Sequence, residues 1–212
     1  MRLFVKGAAP SALKVLIFAS ECDRMIETEE VADLRSPEFL RMNPFGTVPV
    51  LATDTGEFIS ESLTICRYLD ELWDRPGLFG RESRDRLQIE QWERRAELLL
   101  FVPGIEYVHH THPMFATLLD QQPAYVALAA DRSRRALQVF EDRLRDSRYL
   151  AGEIFSMADI TAFLGVGAFT GFGGFDLPTT GPLRRWNDEV SARPSMRILE
   201  RIAAQMTAPA SA

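Results

Sequence analysis

The sequence is poor in cysteine, which limits the disulfide exchange and metal binding that it can support. Among 212 residues only Cys22 and Cys66 occur, and they form no CxxC pair. A thioredoxin-type dithiol exchange centre is therefore disfavoured, and two isolated cysteines suit a reducing compartment. No set of Cys and His residues has the spacing of zinc ligands, so we expect no metal site.

An excess of basic charge is also absent. Lys and Arg number 24 against 30 Asp and Glu, which gives a net charge of −6. Residues 1–76 carry 8 basic and 13 acidic side chains, and the remaining residues carry 16 and 17. Neither part offers the basic surface that nucleic acid phosphates or anionic lipids attract. We therefore expect neither nucleic acid nor a membrane as a partner.

No apolar run approaches the roughly 20 residues of a membrane-spanning helix. The stretch Leu13–Ala19 is a tempting signal-peptide core, but it is short and continues directly into Glu21 and Asp23. Hydrophobic residues make up 46% of the chain, enough to bury one large core or two smaller ones. We expect a globular protein of the cytoplasm.

The first 75 residues combine short apolar-rich strands with helices. Strands are predicted at Arg2–Lys6, Met25–Val31, Thr47–Ala52 and Gly56–Ile59. Helices are predicted at Ser11–Ser20, Ser36–Met42 (or an irregular segment) and Glu61–Trp73. The resulting order is β-α-β-(α)-β-β-α.

A segment rich in Gly and Pro, Trp73–Arg84, indicates a linker, and beyond it every periodic segment is helical. The predicted helices are Ser83–Met114 (one helix, or two with a kink at Pro103-Gly104), Pro123–Asp146, Met157–Phe172, Leu183–Ala192 and Pro194–Met206. The sequence therefore predicts a domain at 1–76, a linker at 77–83 and an all-helical domain at 84–212.

A proline interrupts the predicted third strand, within the run NPFGTVPVL. Pro49 cannot donate to a strand ladder, and a cis Val48–Pro49 bond is one way to tolerate it. The Val48 N–H and C=O would then form an unpaired edge that an extended peptide can complete. The alternative is an edge-strand proline with no role in binding.

A second motif, Ser60-Glu61-Ser62, begins a predicted helix. Backbone N–H groups at a helix start favour an anion, Ser62 could add a hydroxyl donor, and Glu61 could accept from an ammonium group. The alternative is simple capping, with Ser60 as N-cap and Glu61 as a first-turn acid. An exposed backbone edge beside a helix start suits a short anionic peptide.

NPFGTVPVL followed by ESLTICRYLDE resembles the glutathione site of the cytosolic glutathione transferase superfamily, and the order of elements extends the resemblance to nearly the whole chain. It implies an α/β thioredoxin-like domain followed by an all-α domain. It also implies a cis Pro49, pairing of the Val48 main chain with the cysteinyl unit of glutathione, a contact from Thr47, and capture of the γ-glutamyl end by Glu61 and Ser62. The second half adds a capping box, Ser156 to Asp159, whose role is structural.

The implied reaction uses glutathione as co-substrate, in a homodimer that transfers its thiolate to a hydrophobic electrophile or uses it as a reductant. Ala9 stands where many members keep their thiol-activating residue, and its side chain has no donor. Either Ser11 donates to the sulfur, as a later position does in some bacterial members, or Ser11 is only an N-cap. A non-catalytic glutathione-binding or protein-interaction module on the same fold is the alternative function.

The electrophile is expected against the second domain. Tyr107, His110 and Met114 form a stripe at i, i+3 and i+7 on the first long helix, and Phe115 could add apolar wall. The alternative for each of these residues is packing in the core or in a dimer interface.

Overall fold

In the computed structural model, residues 1–73 and 77–201 are described. These residues form two compact units, one of residues 1–73 with 193–201, and one of residues 77–192. The sequence analysis assigns residues 193–201 to the helical domain, whereas the structure places them in the first unit. A contact between residues far apart in the sequence accounts for this, because the Glu21 carboxylate accepts hydrogen bonds from the Arg193 guanidinium at 2.6 and 2.8 Å.

The first unit is a four-stranded mixed sheet with three helices. Its elements are β1 (Arg2–Val5), α1 (Pro10–Glu21), β2 (Glu27–Glu30), α2 (Pro37–Met42), β3 (Val50–Ala52), β4 (Phe58–Ser60) and α3 (Ser62–Leu72). The strand order is β2-β1-β3-β4, with β1 and β2 parallel and the other pairs antiparallel. The thioredoxin-like order predicted from the sequence is confirmed.

The register of β3 and β4 positions the candidate site. Val50 pairs with Ser60, so the chain entering β3 and the chain leaving β4 lie at the same end of this hairpin. α1 and α3 pack against each other and bury apolar side chains such as Phe18. Cys22 and Cys66 are both buried, which makes them poor nucleophiles.

The second unit is helical. It contains α4 (Ser83–Ala96), α5 (Val102–Thr111), α6 (Pro123–Arg145), α7 (Met157–Gly171) and α8 (Pro182–Ser191). The predicted helix Pro194–Met206 belongs to the first unit; it starts as a 3₁₀ turn and is helical to Arg201, and its later residues lie outside the described part. In the described ranges, no helix combines the length and apolar character needed to cross a bilayer.

A π turn at Glu97–Phe101 interrupts the long helix predicted at Ser83–Met114. Pro103 follows this turn and has no N–H to donate to the preceding carbonyls. The Ser133 hydroxyl, on α6, donates to the Leu99 carbonyl at 2.7 Å instead. The break expected at Pro103-Gly104 is thus accommodated by a π turn just before the proline.

The predicted capping box is present at the start of α7. One Asp159 oxygen accepts from the N–H and the hydroxyl of Ser156, both at 3.0 Å. The other accepts from the Leu150 N–H at 3.0 Å and the Trp186 indole N–H at 2.9 Å. Burial raises the pKa of the Asp159 carboxyl, and these hydrogen bonds act in the opposite direction. The box therefore ties three segments of the helical unit together.

Candidate functional site

Val48 presents an unpaired main-chain edge. The Val48–Pro49 peptide bond is cis, as the resemblance implies. The Val48 side chain packs against a core cluster that contains Val31, Phe39 and Val50. β3 begins only at Val50, and within the described ranges the Val48 N–H and C=O form no backbone hydrogen bond. An extended peptide can complete such an edge.

The start of α3 is also open. Its N-cap is Glu61, whose φ of 68° and ψ of 116° are unusual for a residue other than glycine. Among the described residues, the N–H groups of Ser62, Leu63 and Thr64 have no backbone partner. The capping interpretation with Ser60 as N-cap is wrong, because Ser60 belongs to β4 and no side chain caps the helix. Backbone strain beside free amides is a common feature of ligand sites.

The hairpin register brings these two features to one end of the sheet. The Ser62 side chain is buried, at 7% exposure, and its hydroxyl makes no hydrogen bond to any described residue. Glu61 is exposed. The arrangement offers a donor and an acceptor at Val48, helix-start amides at Ser62, and a carboxylate at Glu61. It can therefore hold an extended peptide that ends in a carboxylate and an ammonium group.

The loop before Val48 is held by Asn43, which sequence reasoning read only as part of a motif. Asn43 is buried, at 1% exposure. Its amide nitrogen donates to the Thr47 carbonyl at 2.8 Å and to the Thr47 hydroxyl at 2.9 Å, and its oxygen accepts from the Phe45 N–H at 3.2 Å. Hydrogen bonds from the buried Asn43 side chain therefore fix the conformation of the loop just before the unpaired Val48 edge.

Arg35 is a second residue that sequence reasoning missed. Gly46 has a φ of +64°, and a Cβ there would lie 2.9 Å from the Leu34 carbonyl oxygen and from Arg35 Nη1. The guanidinium thus lies against the loop, two residues before Val48. It is exposed and forms no ion pair with any described residue. No sequence motif links Arg35 to this loop, because their contact arises only when the chain folds.

The start of α1 lacks a side-chain cap. Its N-cap is Ala9, and Pro10 follows without an N–H. Ser11 is half-buried, and its N–H and hydroxyl have no hydrogen-bond partner in the part of the chain that the structure describes. The interpretation of Ser11 as an N-cap is therefore wrong, and both of its donors are available to a ligand.

The predicted stripe of Tyr107, His110 and Met114 does not form one face of a single helix. Tyr107 is buried against Phe169, with ring centroids 5.2 Å apart, so it belongs to the core. His110 is half-buried, and its Nδ1 accepts from the Gln122 N–H at 3.3 Å. Met114 lies beyond the end of α5, in a separate 3₁₀ turn, because the helix stops at Thr111.

The 3₁₀ turn nevertheless exposes apolar groups. Met114 is 57% exposed, and Phe115 is half-buried against the His109 ring, with centroids 4.5 Å apart. Burial, and then the neighbouring His110, lowers the pKa of His109, so its imidazole is neutral near pH 7. Among the described residues, no three His, Cys, Asp or Glu side chains converge as a metal-binding group.

Comparison with known proteins agrees with the fold. Residues 8–72 match the family model "Glutathione S-transferase, N-terminal domain", and residues 99–194 match "Glutathione S-transferase, C-terminal domain". Glutathione S-transferase 2 of Saccharomyces cerevisiae is 31% identical over 94% of this chain and 89% of its own length. Elongation factor 1-gamma of Prunus avium is 32% identical over 71% of this chain and 35% of its own length.

The crystal structure of Gtt2 from Saccharomyces cerevisiae superposes with a TM-score of 0.85 at 31% identity, covering 94% of this chain and all of that one. The sequence matches cover most of the chain, and the fold agrees in both units. The chain belongs to the glutathione S-transferase superfamily.

Proposed function

We propose that the protein binds glutathione along the Val48 edge and uses its thiol on a second substrate. The observation that carries this proposal is the pair of Val48 main-chain groups, which form no backbone hydrogen bond with the residues described, beside the uncapped start of α3. Glutathione has a peptide unit to pair with Val48, and a γ-glutamyl carboxylate and ammonium for Ser62 and Glu61. Thr47 and Pro49 flank that edge. The chain's membership of the glutathione S-transferase superfamily supports this choice of peptide.

Arg35 completes the proposed site at the glycine end. A peptide paired with Val48 and held at Ser62 by its γ-glutamyl end extends its other carboxylate in the opposite direction. The Arg35 guanidinium lies against Gly46, on the Val48 side of the site, and has no carboxylate partner among the described residues. It is suited to bind the glycyl carboxylate of glutathione.

Activation of the thiol is assigned to the start of α1. A hydrogen bond to a thiolate and a helix N-terminus both lower the pKa of a thiol. Ala9 has no side-chain donor, whereas the N–H and hydroxyl of Ser11 are free in the described ranges. We therefore assign thiolate stabilisation to Ser11. The thiolate then attacks an electrophilic carbon and forms a thioether as the leaving group, chloride in a chloronitrobenzene, departs. In the alternative reaction, two glutathione molecules are oxidised to glutathione disulfide while a peroxide is reduced to water and an alcohol, or a disulfide to two thiols.

The remaining assignments follow the family resemblance. The electrophile would be held by the apolar groups near the end of α5, where Met114 and Phe115 are favoured over the buried Tyr107, and His110 lies nearby. A homodimer, a cytoplasmic location and a role in detoxification complete the proposal. The two buried, reduced thiols suit that compartment.

A non-catalytic binding module is the second candidate. It is favoured by Ala9, which leaves the usual catalytic position without a donor. The similarity to an elongation factor 1-gamma shows that related sequences occur as parts of proteins whose names are not transferases. This function would retain glutathione or partner binding without turnover.

Peptide binding and turnover together test the proposal. Glutathione should bind, and cysteinylglycine and γ-glutamylcysteine should each bind at least about tenfold more weakly, because each lacks one end. Assays with a chloronitrobenzene, a peroxide and a disulfide should show turnover that falls in Ser11→Ala. Glutathione binding without turnover on any substrate would favour the binding module. No glutathione binding would refute the proposed function and leave only a protein-interaction role for the fold.

A further inference from the structure

Asn43 has all of its polar groups engaged in closing one short loop. Its N–H donates to the Phe39 carbonyl at 2.9 Å at the end of α2, and its C=O accepts from the Gly46 N–H at 2.9 Å. Its side-chain amide bonds to both polar oxygens of Thr47 and accepts from the Phe45 N–H. A buried polar residue with this many short-range partners fixes a backbone conformation.

One of these hydrogen bonds acts directly on the proposed ligand edge. The Thr47 carbonyl and the Val48 N–H belong to the same planar peptide unit, in which they point in opposite directions. By holding the Thr47 carbonyl at 2.8 Å on the inside of the loop, Asn43 turns the Val48 N–H to the other side. The N–H on that side has no backbone partner among the described residues.

The surroundings leave this peptide unit little freedom. The Val48 side chain is anchored in the core cluster with Phe39 and Val50. On the other side of the loop, Gly46 lies so close to the Leu34 carbonyl that a methyl group would approach it to 2.9 Å. The peptide unit that joins Thr47 and Val48 is thus held by the Val48 side chain and by the Thr47 carbonyl. Its N–H remains available to the ligand.

We propose that Asn43 is a positioning residue for glutathione: it does not touch the ligand, and it aims the Val48 N–H by holding the Thr47 carbonyl. This inference rests on the proposed function. A donor that is already oriented needs no ordering when the peptide binds, so binding is tighter than to a loop that rotates freely.

The test compares Asn43→Ala with Ser36→Ala. Ser36 caps α2 through the Phe39 N–H at 3.2 Å, so its loss lowers stability in the same segment without touching the 47–48 peptide. Glutathione affinity is measured by calorimetry, and the order parameter of the Val48 amide by nuclear magnetic resonance. Asn43→Ala should weaken binding about tenfold and lower the Val48 order parameter, whereas Ser36→Ala should change neither.

Asn43→Asp is the second variant, for the case in which Asn43→Ala does not fold. Its carboxylate keeps the size of the side chain and can still accept from Phe45, but it cannot donate to the Thr47 carbonyl. Equal affinity in wild type and in a folded Asn43 variant would overturn the inference and leave the proposed function standing. An absence of glutathione binding by the wild type would instead overturn the proposed function, and the inference with it.

Discussion

The start of α7 in the helical unit and the starts of α1 and α3 in the thioredoxin-like unit treat their polar groups in opposite ways. In the helical unit, the start of α7 has its box residue Asp159 saturated by donors from Ser156, Leu150 and Trp186. In the thioredoxin-like unit, α1 and α3 begin without any side-chain cap, and their first N–H groups have no backbone partner in the described ranges. From the sequence alone, each of these three helix starts could be interpreted as capped by a serine.

The difference shows which helix starts stabilise the fold and which are available to a ligand. A buried polar group without a partner costs free energy, so an uncapped start is retained where something else satisfies it. Completing α7 internally gives the helical unit stability. Leaving α1 and α3 open gives the other unit two places at which anionic groups, a thiolate and a carboxylate, are favoured.

The most disruptive test of this comparison is Asp159→Ala. It removes the acceptor of three buried N–H groups, on Leu150, Ser156 and Trp186, so we expect a loss of about 4 kcal/mol in the free energy of unfolding. Urea denaturation measures this loss. The matched control is Asp188→Ala on α8, where an exposed carboxylate pairs with Arg184 and should contribute less than about 0.5 kcal/mol. Similar losses for the two variants would contradict the structural role of the box.

A second test concerns how closely the helical unit is packed. In Gly165→Ala the new methyl group would lie 2.6 Å from the backbone of Leu100 and Phe101, so about 3 kcal/mol of stability should be lost. Gly167→Ala is the control in the same helix, because no atom of the described residues beyond its own helix backbone lies within 4 Å of the position of its Cβ. That variant should gain about 0.5 kcal/mol from helix propensity. Thermal unfolding of both variants decides whether α7 approaches the π turn this closely.

The open start of α3 is tested by Ser62→Ala. We expect glutathione to bind about tenfold more weakly, because a buried hydroxyl donor to the ligand carboxylate is lost. Stability should hardly change, since that hydroxyl makes no hydrogen bond to any described residue. Ser60→Ala, two residues earlier in β4, is the control and should change neither property. Unchanged affinity in Ser62→Ala would remove Ser62 from the ligand site, and a stability loss of about 1 kcal/mol in Ser60→Ala would restore the capping interpretation.

The sequence allowed much of the fold to be predicted, because hydrophobic periodicity and Gly/Pro breaks are local signals. The box at Ser156 and Asp159 was readable for the same reason, since its residues are three positions apart. Arg35 was missed because its contact with Gly46 depends on tertiary folding. The predicted stripe from Tyr107 to Met114 was wrong because the helix ends at Thr111. The local sequence contains no clear helix stop signal before Pro113.

Two carboxylates, Asp159 in the helical unit and Asp70 in the thioredoxin-like unit, differ in the hydrogen bonds that they accept. Asp159 has four donors, whereas Asp70 on α3 has a carboxylate oxygen that is buried and makes no hydrogen bond to the residues described. Burial, followed by repulsion from Glu71, raises the pKa of Asp70 to about 6, while Arg67 acts in the opposite direction. Its protonated form is therefore favoured by folding. The stability that this provides is present at low pH and is lost as pH rises through about 6.

Asp70→Asn removes this cost of ionisation and keeps the shape of the side chain. Near neutral pH and above, we expect it to raise the free energy of unfolding by about 1 kcal/mol, a value reduced for screening because the carboxyl is partly solvated. The gain should shrink steadily as the pH is lowered toward 4, because wild-type Asp70 is then protonated in the folded chain. Asp188→Asn, at an exposed position, is the control for the substitution itself. A gain that is constant between pH 4 and 8 would indicate improved packing or helix propensity, and would remove Asp70 as the contrast to Asp159.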